Sequence, residues 1–154
     1  MLKSSLQNWR CKLQITISSE LIAPCGIDCG ICVAYFGYTI GGEKRKKRCI
    51  GCRLIDKKCA FVKKNCTKLS KKQVKFCYEC SSFPCKDLEK LDRRHRQDYG
   101  DSPIDNLKQI QKNGIEVFLE KEREKWKCTR CSAIVCVNTN KCYNCSRETV
   151  KSKN

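Results

Sequence analysis

Residues 126–145 read WKCTRCSAIVCVNTNKCYNC, and this stretch decides how we interpret the whole chain. It contains two Cys-x-x-Cys pairs, Cys128 with Cys131 and Cys142 with Cys145, separated by ten residues. Two thiolates three positions apart can bind one tetrahedral ion from the two arms of a tight turn. The stretch therefore predicts one metal held by four thiolates in a small zinc ribbon-like module at 126–146.

The residues between the two pairs predict the shape of this module. An apolar run favours a strand hairpin that turns at Asn138–Asn140, built from Ala133, Ile134, Val135 and Val137. Cys136 interrupts that run and belongs to neither pair. A free cysteine is commonly a small buried hydrophobe, so we expect Cys136 to lie in the core and not to bind metal.

Ten further cysteines in the first half predict a second, larger metal-binding module. They are Cys25, Cys29, Cys32, Cys49, Cys52, Cys59, Cys66, Cys77, Cys80 and Cys85. Ten cysteines suffice for two four-ligand sites with two left over. One possible site joins Cys29, Cys32, Cys49 and Cys52, and another joins Cys59, Cys66, Cys77 and Cys80. Partitions in which Cys25 or Cys85 completes a site stay open, and Cys11 stands alone. We expect two to three zinc ions per chain.

Cysteines at this density also occur in disulfides and in iron–sulfur clusters. Disulfides are disfavoured because the N-terminus has no apolar signal region, and a cytoplasmic protein keeps its thiols reduced. The spacing Cys25-x3-Cys29-x2-Cys32 matches the cluster motif of radical S-adenosylmethionine enzymes, but the strand–helix repeats of their barrel are missing from the sequence. An iron–sulfur cluster at these three cysteines, in a redox protein, is the main alternative to zinc.

The composition supports a metal-stabilised chain. Of 154 residues 40% are hydrophobic, but this figure includes 16 cysteines, and roughly 30% remain without them. A structural zinc site contributes about 10–16 kcal/mol of apparent binding free energy, enough to replace missing apolar burial. No apolar run approaches the roughly 18 residues that span a bilayer, so we expect no membrane association.

The net charge of +17 is concentrated in one segment. Residues 43–75 contain 14 basic and two acidic side chains, with aromatic residues nearby. Lysine and arginine bind phosphates, and aromatic rings stack on bases, so we expect RNA or single strands as a partner. A solvated charged face is the alternative. The candidate contact residues are Lys44, Arg45, Lys46, Lys47, Arg48, Lys57, Lys58, Lys63 and Lys64.

The sequence divides into five segments. A leader at 1–20 precedes the Cys-rich module at 21–85, a helical region at 86–125, the ribbon-like module at 126–146 and a polar tail at 147–154. Within the leader and just after it, Ile15, Ile17, Leu21 and Ile22 predict a short strand. Ser70-Lys71-Lys72-Gln73 has the form of a capping box and predicts a brief helix running into Cys77.

The region 86–125 predicts three helices. The first covers 86–99 and ends at Gly100. Ser102 is the predicted N-cap of the second, which has Pro103 at its first position and ends at Gly114. The third runs from Ile115 to about Lys125. Together the elements predict a small α+β protein, irregular at its N-terminal end.

Catalytic motifs are weak in this sequence. His95 is the single histidine, within a charged helix, and we expect it on the solvated surface. We expect a binding protein more than an enzyme, because all-thiolate zinc sites are closed and structural. A protein–protein adaptor with an undisclosed partner is a third reading.

The order of the motifs PCGIDCGIC, RCIGC, FCYECSSFPCKDL, NLKQIQKNG and WKCTRCSAIVCVNTNKCYNC resembles the small Cys-rich prokaryotic family catalogued as domain of unknown function 3795. The resemblance covers about 22–146 and implies a cytosolic metal-binding protein of undetermined activity. It places twelve residues on the family's recurring cysteine positions: Cys25, Cys29, Cys32, Cys49, Cys52, Cys77, Cys80, Cys85, Cys128, Cys131, Cys142 and Cys145. Relatives tend to read Cys-Pro-x-Cys-Gly where this chain has Ser132, and glycine eases the left-handed turn there.

Overall fold

Short helical turns separated by loops form the Cys-rich N-terminal half. The computed structural model describes residues 16–145 and the backbone of residues 147–148. Single 3-10 turns lie at Ser19–Leu21, Cys29–Ile31, Lys58–Ala60 and Cys77–Glu79. Three short α-helices accompany them: α1 (Val33–Phe36), α2 (Phe61–Asn65) and α3 (Thr67–Ser70).

Three longer helices follow, as the sequence predicts. They are α4 (Lys86–Tyr99), α5 (Pro103–Asn113) and α6 (Ile115–Lys125). The Ser102 hydroxyl accepts a 3.1 Å hydrogen bond from the Asp105 N–H and so caps α5. Gly100 ends α4 at φ 66°, and Gly114 separates α5 from α6 at φ 84°. Glycine adopts these left-handed angles at little steric cost, so the predicted boundaries are confirmed.

One hydrophobic core joins the helices to both ends of the described chain. Leucine and isoleucine of α4 and α5 pack with Phe118 and Leu119 of α6. The same cluster includes Ile17 and Ile31 at the N-terminal side and Val137 at the C-terminal side. A separate small cluster contains Cys128, Val135 and Cys142.

The loop before the first 3-10 cysteine turn lies against α5. The Asn106 side-chain amide donates a 3.0 Å hydrogen bond to the Gly26 carbonyl. A Cβ atom at Gly26 would collide with the Pro103 carbonyl oxygen, and the φ angle of Gly26 is 87°. This close approach fixes the cysteine-bearing loop on the helical layer.

Two predicted N-terminal elements are wrong. Ile22 forms only an isolated bridge with Asp28, and Ser19–Leu21 is a 3-10 turn, so the predicted strand is not formed; Ile15 lies outside the described residues. Ser70 is the last residue of α3 and not a helix start. The chain leaves the helix there because Lys72 adopts a left-handed φ of 55°.

The C-terminal pairing also differs from the prediction. Strand β1 (Lys141–Cys142) pairs antiparallel with β2 (Arg147–Glu148), and Ile134 forms an isolated bridge with Lys127. No strand forms over 133–137, and Val137 donates its N–H to the Ile31 carbonyl at 2.9 Å. The chain does reverse at the predicted turn 138–140, where the Cys136 N–H donates to the Lys141 carbonyl at 3.0 Å. No helix within 16–145 is long and apolar enough to cross a membrane.

Candidate metal centres

Four thiols of the C-terminal module converge on one point. The Sγ atoms of Cys128, Cys131, Cys142 and Cys145 all lie within 4.8 Å of one another. The Cys128–Cys145 pair is separated by 3.7 Å and the Cys131–Cys142 pair by 3.5 Å. The predicted ligand set is therefore assembled in space, and it can bind a metal ion.

The backbone of each knuckle holds its cysteines in place. In the first, Cys128 donates its N–H to the Ala133 carbonyl at 2.7 Å, and the Ser132 N–H donates to the Cys128 carbonyl at 2.9 Å. Ser132 has a φ of 61°, a left-handed angle that glycine adopts more easily than serine. In the second, Cys142 lies on β1 opposite Arg147.

The four thiols differ in acidity. A backbone N–H two residues on is the main cause that lowers the pKa of Cys128. Burial raises the pKa of Cys131, but hydrogen bonds, the Asn144 side chain first among them, outweigh it and hold that pKa at about 6. Burial raises the pKa of Cys142 to about 12 and also raises that of Cys145. A metal ion would therefore displace protons mainly from the second knuckle.

The donor set fits a thiophilic metal. Four thiolates in tetrahedral arrangement suit zinc or iron, whereas calcium and magnesium require oxygen ligands. None of the cysteines within 16–145 forms a disulfide. Cys136 lies fully buried in the main core, away from this cluster, in the position predicted for a small hydrophobe.

A second group of sulfur contacts lies in the N-terminal module. The Cys52 and Cys59 Sγ atoms are 3.7 Å apart, and the Cys52 N–H donates to Cys29 Sγ at 3.4 Å. The hydrogen bond with Cys29 is the main cause that raises the pKa of Cys52. Burial raises the pKa of nearby Cys25 to about 11. The predicted proximity of Cys29 and Cys52 is thus observed.

The predicted first site has two further members, Cys32 and Cys49. Cys32 is half-buried at the N-terminus of α1, and Cys49 is buried, with its N–H donated to the Ala34 carbonyl at 2.9 Å. Whether these two share an ion with Cys29 and Cys52 stays a prediction.

A third group of thiols lines a small cavity. Its volume is about 30 Å³, and its cysteines are Cys66, Cys77, Cys80 and Cys85. Burial raises the pKa of Cys77 to about 12. The pKa of Cys80 is lowered, first by the Ser82 N–H and then by the Lys68 ammonium, which donates to Cys80 Sγ at 3.4 Å. Cys59, which we grouped with Cys77 and Cys80, instead contacts Cys52.

No local pattern indicates the contact of Lys68 with Cys80, because twelve residues separate them. The same is true of Asn144 beside Cys131, which is one asparagine among several in the knuckle. A polar or charged side chain beside a thiol can be recognised as its partner only once the fold is known. Both residues were therefore missed by the sequence analysis.

The predicted basic residues are mostly at the surface. Lys44, Lys46, Lys47 and Arg48 are exposed, and the Arg48 guanidinium lies 4.5 Å from the centre of the Tyr35 ring. The remaining candidates follow the cysteine loops: Arg45, Lys57 and Lys63 are half-buried, and Lys58 and Lys64 are exposed.

Lys63 is less available than predicted. Its ammonium pairs with Asp56 at 2.8 Å and donates to the Cys52 carbonyl at 3.0 Å, so it has a structural use. His95 is half-buried and not fully solvated: its ring meets the Tyr99 ring edge-on at 5.2 Å, and burial lowers its pKa.

The fold and the site thus define the class of protein: a loop-rich, cysteine-rich module packed on three helices. Residues 21–90 match the family described as "Protein of unknown function (DUF3795)". The match covers less than half of the chain, and it confirms the resemblance seen in the cysteine motifs of this segment. The match does not extend over the C-terminal knuckles, which the predicted resemblance included. Comparison with curated proteins and with solved structures gave no significant match.

Proposed function

We propose that the protein is a zinc-stabilised binding protein in which Cys128, Cys131, Cys142 and Cys145 hold one ion. The supporting observation is the sulfur spacing. Zn–S bonds of about 2.3 Å at tetrahedral angles place two sulfurs about 3.8 Å apart. The Sγ atoms of Cys131 and Cys142 are 3.5 Å apart and those of Cys128 and Cys145 are 3.7 Å apart, close to that spacing.

The same spacing favours a single ion over an iron–sulfur cluster at these knuckles. A four-iron cluster binds each thiolate to a different iron, so its ligand sulfurs stand farther apart than those around one ion. Four protein ligands also fill the coordination sphere of zinc and leave no open position for substrate. We therefore assign the ion a structural role, in a cytoplasmic compartment that keeps thiols reduced.

Elemental analysis of variants tests this proposal. The full chain, purified reduced and without oxygen, is compared with Cys142→Ser and with the matched control Cys136→Ser, which changes a buried cysteine outside the cluster. We expect Cys142→Ser to lose one zinc per chain and the control to lose none. Equal zinc content in the two variants contradicts the proposal. Iron with acid-labile sulfide supports the cluster alternative instead.

A second candidate function is binding of single-stranded nucleic acid, and a specific surface favours it. The Tyr38 and Tyr143 rings stack with centres 4.3 Å apart. They line an open groove of about 230 Å³ together with Phe36 and Arg48. Lys44, Lys46 and Lys47 extend the exposed positive charge along the chain from this groove. Aromatic stacking beside phosphate-binding cations is the usual arrangement for single strands.

Two charge-matched triple variants test this second function. Lys44, Lys46 and Lys47 are changed to alanine in one, and three exposed lysines of α5 and α6, Lys108, Lys112 and Lys121, in the other. Binding to a single-stranded RNA oligonucleotide is measured against salt concentration. Removing three phosphate contacts should reduce the slope of log K against log salt by about 2. The second variant should keep the larger slope; equal slopes reject this surface.

A further inference from the structure

We propose a second metal site, in the N-terminal module, in which Cys66, Cys77, Cys80 and Cys85 bind one zinc ion. It extends the proposed zinc binding to a different part of the chain and does not require the C-terminal site to be occupied. The two sites share no residue, so each can be tested alone.

The four thiols come from three separate segments of the chain and line one cavity. Among the described residues only the C-terminal four have sulfurs that all lie within 4.8 Å of one another, so the N-terminal four would draw closer together around an ion. Cys66 lies at the junction of α2 and α3, where its N–H donates to the Val62 carbonyl at 3.0 Å. Cys77 is the first residue of the 3-10 turn Cys77–Glu79, and Cys80 follows that turn. The Cys80 N–H donates to the Cys77 carbonyl at 3.1 Å. Cys85 immediately precedes α4. All four cysteines line the same cavity.

The turn that carries Cys77 and Cys80 has the form of a metal knuckle. The Phe83 N–H donates to the Cys80 carbonyl at 3.0 Å, so the chain reverses directly after the second cysteine. Cys77 is anchored from the other side, because its N–H donates to the Pro24 carbonyl at 2.9 Å. Two thiols three positions apart on such a turn supply half of a tetrahedral site.

The size of the cavity fits one ion. Its volume of about 30 Å³ is enough for a single water-sized sphere, and a zinc ion is no larger. A four-iron cluster, with its own bridging sulfides, needs considerably more space. The walls other than sulfur are almost entirely apolar: they include Val62, Leu69, Val74, Phe83 and Leu88. The thiols therefore provide nearly all of the ligand atoms that a bound cation would meet.

A lysine beside the cavity offsets part of the negative charge that the occupied site would carry. Four thiolates and one Zn²⁺ carry a net charge of −2, which is unfavourable beside an apolar wall. The Lys68 ammonium lies 3.4 Å from Cys80 Sγ and offsets part of that charge. Such contacts to ligand atoms orient a site and strengthen metal binding. Lys68 is otherwise exposed on α3, so the contact does not come from burial of its side chain.

Alkylation of the wild-type chain tests the site without any substitution. Cys85 is exposed and Cys80 half-buried, so the fold alone does not shield their sulfurs from iodoacetamide. The zinc-loaded full chain is alkylated and digested, and the modification rate of each cysteine is measured by mass spectrometry. Coordination to zinc should slow alkylation of Cys80 and Cys85 by about tenfold or more, and a zinc chelator should restore it.

The C-terminal thiols separate failure of this site from failure of the proposed function. Fast alkylation of Cys80 and Cys85 in zinc-loaded protein overturns the second site, and protection of Cys131 and Cys145 in that sample leaves the first site intact. Protection of Cys80 and Cys85 that survives both chelator and denaturant, but not a reductant, identifies a disulfide and also overturns the second site.

Two variants supply an independent readout by zinc content. Cys85→Ser removes an exposed ligand with little loss of buried surface, and it should lower zinc by one ion per chain and leave Cys131 and Cys145 protected. Cys142→Ser should lower zinc by one ion and leave Cys80 and Cys85 protected. Unchanged zinc in Cys85→Ser, together with rapid alkylation of Cys80, rejects the site. Lys68→Gln should weaken zinc binding at the N-terminal site by about tenfold.

Discussion

The Asn138 side-chain oxygen accepts a 2.8 Å hydrogen bond from the Val33 N–H, 105 residues earlier in the chain. Next to it, Val137 donates its N–H to the Ile31 carbonyl at 2.9 Å. The segment that precedes the second C-terminal knuckle is therefore docked on the first cysteine module. A structural change in either the first cysteine module or the C-terminal knuckles should therefore affect the other.

Asn138→Ala should lower the free energy of unfolding by about 1–2 kcal/mol, because it leaves the partly buried Val33 N–H without its acceptor. Asn65→Ala, at the exposed end of α2, is the matched control and should change stability by less than about 0.5 kcal/mol. Denaturant unfolding of zinc-loaded protein measures both. Equal effects would mean that this contact is not important for stability.

Ser132→Gly should stabilise the C-terminal knuckle by about 1 kcal/mol, because Ser132 holds a left-handed φ of 61° that glycine adopts without strain. Ser132→Ala keeps the Cβ atom and should bring no such gain. Zinc affinity and thermal unfolding are the measurements. A gain in both variants would assign the effect to the serine hydroxyl.

Gly26→Ala and Gly42→Ala form a matched pair with φ angles of 87° and 88°. Each alanine is strained by about 1–2 kcal/mol in the left-handed region. Only Gly26 faces the Pro103 carbonyl; a Cβ at Gly42 meets nothing within 4 Å. We expect Gly26→Ala to cost more than about 4 kcal/mol or to prevent folding, as severe core clashes do. Similar midpoints for the two variants in chemical unfolding would contradict this close approach.

Asp92 links α4 to the start of α5. It accepts hydrogen bonds from the Ser102 hydroxyl at 2.6 Å, the Ile104 N–H at 2.9 Å and the Arg96 guanidinium at 2.6 Å. Burial raises the pKa of Asp92, but these donors outweigh it and the pKa is lowered. Asp92→Asn should therefore destabilise the protein by about 2 kcal/mol at pH 7.

The pH dependence of that loss has a definite sign. A lowered carboxyl pKa means that the unfolded chain binds the proton more tightly, so the stabilisation is present above the ordinary pKa of 3.8 and is lost below it. The difference between wild type and Asp92→Asn should shrink as the pH falls below about 4, whereas thiol protonation affects both chains alike. Asp105→Asn, an exposed partner of Arg96, should cost about 0.5 kcal/mol or less.

Trp126 should report on metal binding at the C-terminal knuckles. Its indole is 2% exposed and donates to the Glu122 carboxylate at 3.0 Å, and its carbonyl accepts from the Val135 N–H at 2.7 Å. In a Trp9→Phe background, chelation of zinc should shift the emission to longer wavelength as the indole becomes hydrated. Cys142→Ser should show the shifted emission before chelator is added. Unshifted emission after complete zinc removal would mean that the knuckle folds without metal.

Sequence by itself determined the local features of this protein. The end of α4, both ends of α5 and the start of α6 follow from Gly100, Ser102 and Gly114, because capping and left-handed turns depend on neighbouring residues. The convergence of the four thiols at 128–145 follows from their spacing for the same reason, because each knuckle is a single turn. The family signature over 21–90 was likewise visible in the cysteine motifs.

Tertiary structure decided everything that depends on distant residues. The N-terminal cysteines have irregular spacing and many equivalent pairings, and only the folded chain brings Cys59 to Cys52 and places Cys85 in the wall of the same cavity as Cys66. The chain reverses at 138–140 as predicted, but the strand expected over 133–137 is not formed, and Val137 donates its N–H to the distant Ile31 carbonyl. The sequence pattern shows which residues are apolar. The partner of a backbone N–H depends instead on packing between segments that are far apart in the sequence.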